Sequence, residues 1–368
     1  MTASDLPLVT IITVTYQLVE GKRERQFRTC AESVQRQTYP AIEHLVIDGG
    51  SQDGTVELIR EFEGNGRLSY ISEPDKGIYD AMNKGIRMAK GKYIAFLNSD
   101  DFWHDAEGVA RSVEMLEKAH ADFSYAPRIC VNQDGEKEYE EYPQIGSFAY
   151  AMPFCHQTMF TRTELLREHG GFRFDKYTCA ADYDLVVRLM LNGAKPVYVP
   201  LNFTSFRLGG FSGERMDLSR REVEMIVKEH FGAYMEDTED LGWLWEPTPK
   251  VPIELLRSLD ALVHPSVTAQ MHGYALGRWH DLYHISAGRP AETPQWGLNA
   301  RTRSITRSTW KLFHILPLVT VKKKETATRI YLFGCSLLYL LKIKKSFDKV
   351  NVSLFGFIPL LKIKIRHD

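Results

Sequence analysis

The sequence predicts an α/β protein: a mainly parallel sheet flanked by helices, followed by a helical C-terminal extension and a small basic repeat tail. Two observations predict the sheet. Apolar, β-branched runs alternate with helix-period segments over the first hundred residues, and loops rich in Asp, Ser and Gly follow the strands, where such a sheet presents its ligand-binding edge. A third observation, a swing in charge after residue 300, predicts the tail.

Leu8–Val14 is a β-branched run and reads as the first strand, with Phe27–Gln37 as the helix after it. Glu43–Ile47 is a second strand, ending in the turn-rich Asp48–Gly54, and Thr55–Phe62 is a helix. Leu68–Ile71 reads as a strand, Gly77–Met88 as a helix, and Tyr93–Leu97 as a buried strand that closes on Asn98-Ser99-Asp100-Asp101. Asp122–Val131 reads as one further strand, with a hairpin turn at Gln133-Asp134-Gly135-Glu136. Thr163–His169, Asp182–Asn192 and Leu218–Phe231 read as helices and Pro196–Val199 as a strand.

The chain has 368 residues, 44% of them hydrophobic and 25% charged, which is the composition of a globular protein. Its 46 Lys and Arg nearly balance 47 Asp and Glu, so it is not expected to bind nucleic acid in general. From Arg301 onward, however, fifteen Lys or Arg face three Asp or Glu. Such a tail is expected to seek an anionic surface. It also holds a repeat: Leu332-Phe333-Gly334 followed by Leu341-Lys342-Ile343-Lys344 returns as Leu354-Phe355-Gly356 followed by Leu361-Lys362-Ile363-Lys364. Cys30, Cys130, Cys155, Cys179 and Cys335 lack the spacing of a zinc site or a disulfide framework and fit a reducing cytoplasm. No basic segment followed by an apolar stretch opens the chain, so export by a signal sequence is not expected. Ile330–Leu341 is the longest apolar run, well short of the ~20 residues of a membrane span.

Two loops carry candidate chemistry. Asn98-Ser99-Asp100-Asp101 sets oxygen ligands at a strand end, where a divalent cation would be held by one or two carboxylates; such a pair also serves as a helix cap or a solvated turn. In Asp48–Thr55 the glycines permit close approach to a ligand and Asp48 could accept a hydrogen bond from a base or ribose, while Ser51 and Asp53 read better as turn and cap residues.

Taken together, Thr13-Val14-Thr15-Tyr16, Asp48–Thr55, the run from Glu73 to Gly85 and Phe96–Asp101 resemble, in order and spacing, the family-2 glycosyltransferases. The resemblance covers about residues 7–210. It implies a GT-A fold, a nucleotide-sugar donor (a UDP-sugar first), a divalent cation (Mn²⁺ or Mg²⁺) and inversion at the anomeric carbon. Carried over by position, it makes Thr15 and Asp48 contacts to the nucleoside, sets Lys76 near the base or diphosphate, and gives the metal to Asp100 with Asp101 beside it. Gly49 stands where the family commonly has a second Asp, and Asn98 where its D-x-D begins.

Further on, Cys155-His156-Gln157-Thr158, Gly170-Gly171-Phe172 and Ala180–Leu185 resemble the acceptor half of these enzymes. There Asp182 matches the catalytic base, with Ala181 where many members have Glu. A carboxylate suits that task because it can take the acceptor's proton without bonding covalently, although Asp182 could also cap its helix. Asp184 is the weaker candidate base, His156 could orient an acceptor or touch phosphate, and Arg207 ahead of Gly209-Gly210-Phe211-Ser212 could belong to a mobile loop over the diphosphate.

The expected organisation is thus a glycosyltransferase domain at 1–215, a mostly helical extension at 216–300 and the basic tail at 301–368. The tail would hold the protein at the inner face of the cytoplasmic membrane, near a glycan or lipid-linked acceptor of cell-surface polysaccharide such as capsule or O-antigen. Pairing of the two repeats into an interface of a homo-oligomer is the other reading of the tail. A nucleotidyltransferase, or a non-catalytic glycan- or nucleotide-binding protein of this fold, is the alternative for the whole.

Overall fold

The computed structural model describes residues 6–245 with short gaps, scattered positions between 255 and 267, and six strands between 306 and 364. It separates into two units, Met1–Glu292 and Thr293–Asp368.

The first unit opens with β1 (Val9–Thr15), α1 (Glu24–Gln35), β2 (Ile42–Asp48), α2 (Thr55–Arg60), β3 (Leu68–Ser72), α3 (Ile78–Met88) and β4 (Tyr93–Phe96). All seven residues of β1 are buried, as a central strand covered on both faces requires. Pairing is parallel from β4 through β1 and β2 to β3, so the ends of these strands share one edge: Thr15 lies opposite Asp48, and Asp48 opposite Ser72. α3 lies close on β1, and a Cβ on Gly85 would stand 2.7 Å from Ile12 Cγ2. Any larger residue there would push helix and sheet apart.

The next elements are β5 (Phe102–Trp103), α4 (Gly108–Ala119), β6 (Phe123–Tyr125), β7 (Arg128–Val131), β8 (Lys137–Glu141), β9 (Phe160–Arg162), α5 (Thr163–Glu168), α6 (Ala181–Leu191), β10 (Pro196–Tyr198), β11 (Thr204–Arg207) and α7 (Met216–Phe231). The main sheet runs β10-β6-β9-β4-β1-β2-β3, and a second sheet runs β5-β11-β7-β8. Within the main sheet β9 alone is antiparallel to its neighbours. The architecture is the mainly parallel, helix-flanked sheet that the sequence predicts. The single strand expected at Asp122–Val131 is two strands in different sheets, because Pro127 between them supplies no ladder N–H. The hairpin turn at 133–136 joins β7 to β8 as expected.

α7 was expected to begin a separate extension. Instead its Ile226, Val227 and Phe231 are fully buried in the core that also holds Tyr79, Phe172 and Tyr183. Residues 268–300 of that extension lie outside the described residues. Among the described residues no helix is long and apolar enough to cross a membrane.

The second unit is an antiparallel meander: β12 (Thr306–Leu312), β13 (Leu316–Lys324), β14 (Ala327–Leu332), β15 (Tyr339–Ser346), β16 (Lys349–Leu354) and β17 (Ile358–Lys364). Each of the two sequence repeats is one hairpin, β14–β15 or β16–β17; Phe333-Gly334 and Phe355-Gly356 between the strands lie outside the described residues. Register shifts fall at matching places, Ile330/Tyr331 and Val352/Ser353. A third shift at Trp310/Lys311 in β12–β13 discloses a copy that the sequence reading missed. Its Leu312-Phe313, Pro317 and Lys322 match Leu354-Phe355, Pro359 and Lys364. Among the described residues the tail holds three hairpin units, rather than two.

Candidate active site

At the edge where β1 and β2 end, Asp48 is fully buried and its carboxylate is fully used. Oδ1 accepts from Thr15 Oγ1 (3.1 Å) and Ser51 Oγ (2.6 Å); Oδ2 accepts from Gly50 N (3.1 Å), Ser51 N (2.8 Å) and Ser72 Oγ (2.6 Å). Asp48 and Thr15, expected to touch the nucleoside, therefore spend their polar groups on the loop itself. Asp53 accepts from the N–H and hydroxyl of Thr55 and holds Glu20 N (2.7 Å); the cap of α2 is Gly54, so Asp53 braces the turn ahead of the helix instead of capping it. Lys76 is exposed, and its ammonium has no partner among the described residues; its backbone N–H donates to Asp80 (3.0 Å).

One strand over, the turn Asn98–Asp101 divides its two carboxylates. Asp101 is buried, with Oδ1 accepting from Arg207 N (2.5 Å) and Oδ2 from Gln157 Nε2. Gln157 also accepts from Asn98 N (2.9 Å), so one buried amide fixes both ends of the turn. Arg207 stands at the end of β11, not in a mobile loop. Its guanidinium donates to the carbonyls of Asp100 (2.8 Å), Asn132 (3.1 Å) and Gln133 (2.6 Å). Arg207 thus holds the turn, and Asp101 faces protein on both oxygens. Phe211 and Ser212 lie outside the described residues.

Asp100, in contrast, has no side-chain partner among the described residues, and Asn98 Oδ1 is buried without a hydrogen-bond partner. Burial pushes the Asp100 carboxyl above its ordinary value, against the opposing charges of Arg23 and Arg207. Burial, with the charge of Asp100 added, pushes Asp101 well up. An unspent carboxylate and an orphaned amide oxygen in one turn fit a hard divalent cation.

On the acceptor side, Asp182 stands one residue inside α6, so it is not the cap of that helix. Oδ1 accepts from Tyr79 OH (3.0 Å) and Tyr183 N (2.9 Å), and Oδ2 lies 3.2 Å from His156 Nδ1. Burial opposes its ionisation, but the hydrogen bonds from His156, Tyr79 and the Tyr183 amide prevail and hold it below the usual carboxylate value. About a fifth of the side chain remains exposed. His156 Nε2 is buried and without a partner.

Asp184 is wholly buried among Arg173, Arg188 (2.9 Å) and His230 (2.9 Å). Asp184, Glu229 and His230 are close enough together to share a metal, yet Arg173, Arg188 and Lys176 already balance their charge. This is an ion-pair core.

The Glycosyl transferase family 2 model matches residues 10–177. A PGL/p-HBAD biosynthesis glycosyltransferase of Mycobacterium bovis is 30% identical over 193 residues, 51% of this chain and 74% of that protein. The chain is a family-2 glycosyltransferase. Another relative, glycosyltransferase GlyA of Streptococcus pneumoniae, is 32% identical over 165 residues, 45% of this chain but 23% of its own length. Among solved structures, the mannosyltransferase PcManGT from Pyrobaculum calidifontis, in complex with GDP-Man and Mn²⁺, aligns with a TM-score of 0.47 at 20% identity, over 78% of this chain and 81% of that one. That likeness is too loose to carry a function.

In this glycosyltransferase the residue least visible in the sequence is Glu222. From α7 its buried carboxylate accepts from the N–H groups of Thr178, Cys179 and Ala180, all at 2.8 Å, and so fixes the chain leading into Asp182. A lone Glu within a helix gives no sign of partners more than forty residues away.

Proposed function

We propose that this glycosyltransferase moves a monosaccharide from a nucleotide-sugar to an acceptor hydroxyl with inversion, during assembly of a cell-surface glycan. The observation that supports it best is the pairing of two unlike carboxylates: Asp100, unspent at the sheet edge, and Asp182, held ionised at the head of α6. A divalent cation held by Asp100 and Asn98 would neutralise the charge that develops on the departing diphosphate. Asp101, Gln157 and Arg207 keep that turn in shape. Lys76, exposed and unpaired, offers a second positive charge to the diphosphate, and Thr15 and Asp48 act through the loop that they brace.

Asp182 takes the proton of the acceptor hydroxyl. The hydroxyl oxygen bonds to the anomeric carbon as the bond from that carbon to the phosphate oxygen breaks, and the electron pair leaves with the nucleoside diphosphate. Displacement on the face opposite the leaving group inverts the centre. Tyr79 and His156 fix the carboxylate so that little reorganisation accompanies the transfer.

The test is titration of nucleotide-sugars with and without Mn²⁺. The wild type is expected to bind more tightly with the cation, and Asp100→Ala to lose both that gain and turnover. Full turnover in EDTA would overturn the metal part of the reading.

The tail is read as a membrane contact. Each Lys or Arg near an anionic leaflet contributes about 1 kcal/mol, and this attraction weakens as salt rises. Full-length protein should therefore sediment with anionic vesicles at low salt and release at high salt. Salt-insensitive self-association without vesicle binding would favour the oligomer interface instead.

A further inference from the structure

Gly49 stands where the resemblance leads one to expect an acidic residue, and the structure shows what the glycine admits. A Cβ built on it would lie 2.7 Å from Asp75 Oδ2, too close to stand unless that carboxylate moved away, and a tight 3.1 Å from Tyr16 Cδ2. Backbone strain is not the reason, since of the glycine pair only Gly50 has a left-handed φ (81°). The glycine leaves room for the carboxylate of a different loop.

Asp75 is fixed there. Its Oδ1 accepts from Gly77 N (2.8 Å), while Lys84 on α3 ties down the loop through Pro74 O (2.7 Å) and the Glu73 carboxylate (3.0 Å). Oδ2 has no hydrogen-bond partner among the described residues. Partial burial pushes this carboxyl above its ordinary value, against the pull of the Gly77 amide and Lys84. Oδ2 is thus open to a ligand's donor, held in place by the bond that its partner oxygen accepts from Gly77 N. Beside it the Tyr16 ring, 53% exposed, offers a flat apolar face at the edge where β1 and β2 end. Planar bases stack on such faces.

We infer that Asp75 Oδ2 reads the base of the donor nucleotide, accepting the ring N–H that lies next to a carbonyl in uracil, thymine and guanine, and that Gly49 exists to seat it. This rests on the nucleotide-donor reading above. Cytosine and adenine carry a lone pair at the corresponding ring position and would face the carboxylate unfavourably.

The experiment is calorimetric binding of UDP, dTDP, GDP and CDP with Mn²⁺ to wild type, Asp75→Ala and Asp75→Asn, with melting curves to show folding. The wild type should bind one of the N–H-bearing nucleotides at least about tenfold more tightly than CDP, the worth of one charge-assisted hydrogen bond; which of the three it prefers identifies the base. In Asp75→Ala that nucleotide should weaken about tenfold or more while CDP does not. In Asp75→Asn the amide can keep its bond to Gly77 N and turn its NH₂ toward the base, so CDP should gain relative to the rest. Wild type that binds CDP as tightly as the others, or folded variants with unchanged ratios, would overturn the inference alone. Wild type that binds no nucleotide at all would overturn the donor reading and the inference with it.

Discussion

The sheet edge and the head of α6 each enclose acidic side chains and leave a neighbouring carboxylate open, but they satisfy the enclosed ones by opposite means. At the sheet edge Asp48 and Asp101 are satisfied by neutral donors: hydroxyls, an amide and backbone N–H groups. At α6, Asp184 is satisfied by Arg173, Arg188 and His230. Neutral donors leave the enclosed side chains without an ion pair, and Arg23 and Arg207 act on Asp100 only from a distance, so its carboxylate stays free to meet a metal. The cations around Asp184 cancel its charge locally, whereas Asp182 keeps about a fifth of its side chain exposed, as the proton acceptor proposed above requires. Partners, rather than place in a motif, distinguish scaffold from chemistry here.

The sharpest way to break this comparison is Asp182→Asn. It keeps the shape and can still accept from Tyr79, yet it cannot take a proton, so kcat should fall by about 10²–10⁴ while donor affinity holds. Near-normal turnover in a folded variant would mean that proton acceptance lies elsewhere, and α6 would then be scaffold at both positions.

Asp184→Asn should act on stability. Removing one member of a buried ion-pair network leaves charges unpaired and costs about 3–5 kcal/mol. Although burial opposes its ionisation, the bonds from His230, Arg173 and Arg188 hold Asp184 far below the usual carboxylate value. Its stabilising share is therefore present at neutral pH and fades only in strong acid, where the carboxylate takes up a proton. Denaturant melts of wild type and variant should differ most near neutrality and converge in acid. A variant as stable as wild type at pH 7 would show the cluster to be idle.

Most of the parallel core was legible in the sequence, because β1 to β4 and α1 to α3 each carry a strong period and end in turn residues. Where reading stopped, the causes are specific. α4 has a legible stripe in Val109, Val113 and Leu116 that the reading passed over, whereas β9 is three residues long and takes its place from its neighbours. In the site, motif position pointed to Asp48 and Arg207 as ligand contacts. Their roles depend on how many donors or carbonyls converge on them from other strands, and a linear pattern does not encode that. The third tail hairpin escaped notice because Leu312-Phe313 lacks the Gly and Val319-Thr320-Val321 replaces the Lys-Ile alternation.

The finest test concerns His156, which sharpens the α6 side of the comparison without removing the proposed base. Its Nδ1 lies 3.2 Å from Asp182 Oδ2 and is the foremost of the hydrogen bonds that hold the carboxyl low, while burial acts the other way. As a base Asp182 must be ionised, so the rate should fall on the acid side as pH drops through its pKa, and in the wild type that limb lies below the ordinary carboxylate range. His156→Ala removes the depressing contact and leaves the burial, so the limb of the kcat profile should move to higher pH, with a smaller loss at neutral pH than Asp182→Asn causes. A purely structural role would lower kcat evenly across pH and leave the limb in place. An unmoved limb in a folded variant would therefore show that Tyr79 and the Tyr183 amide suffice to set the base.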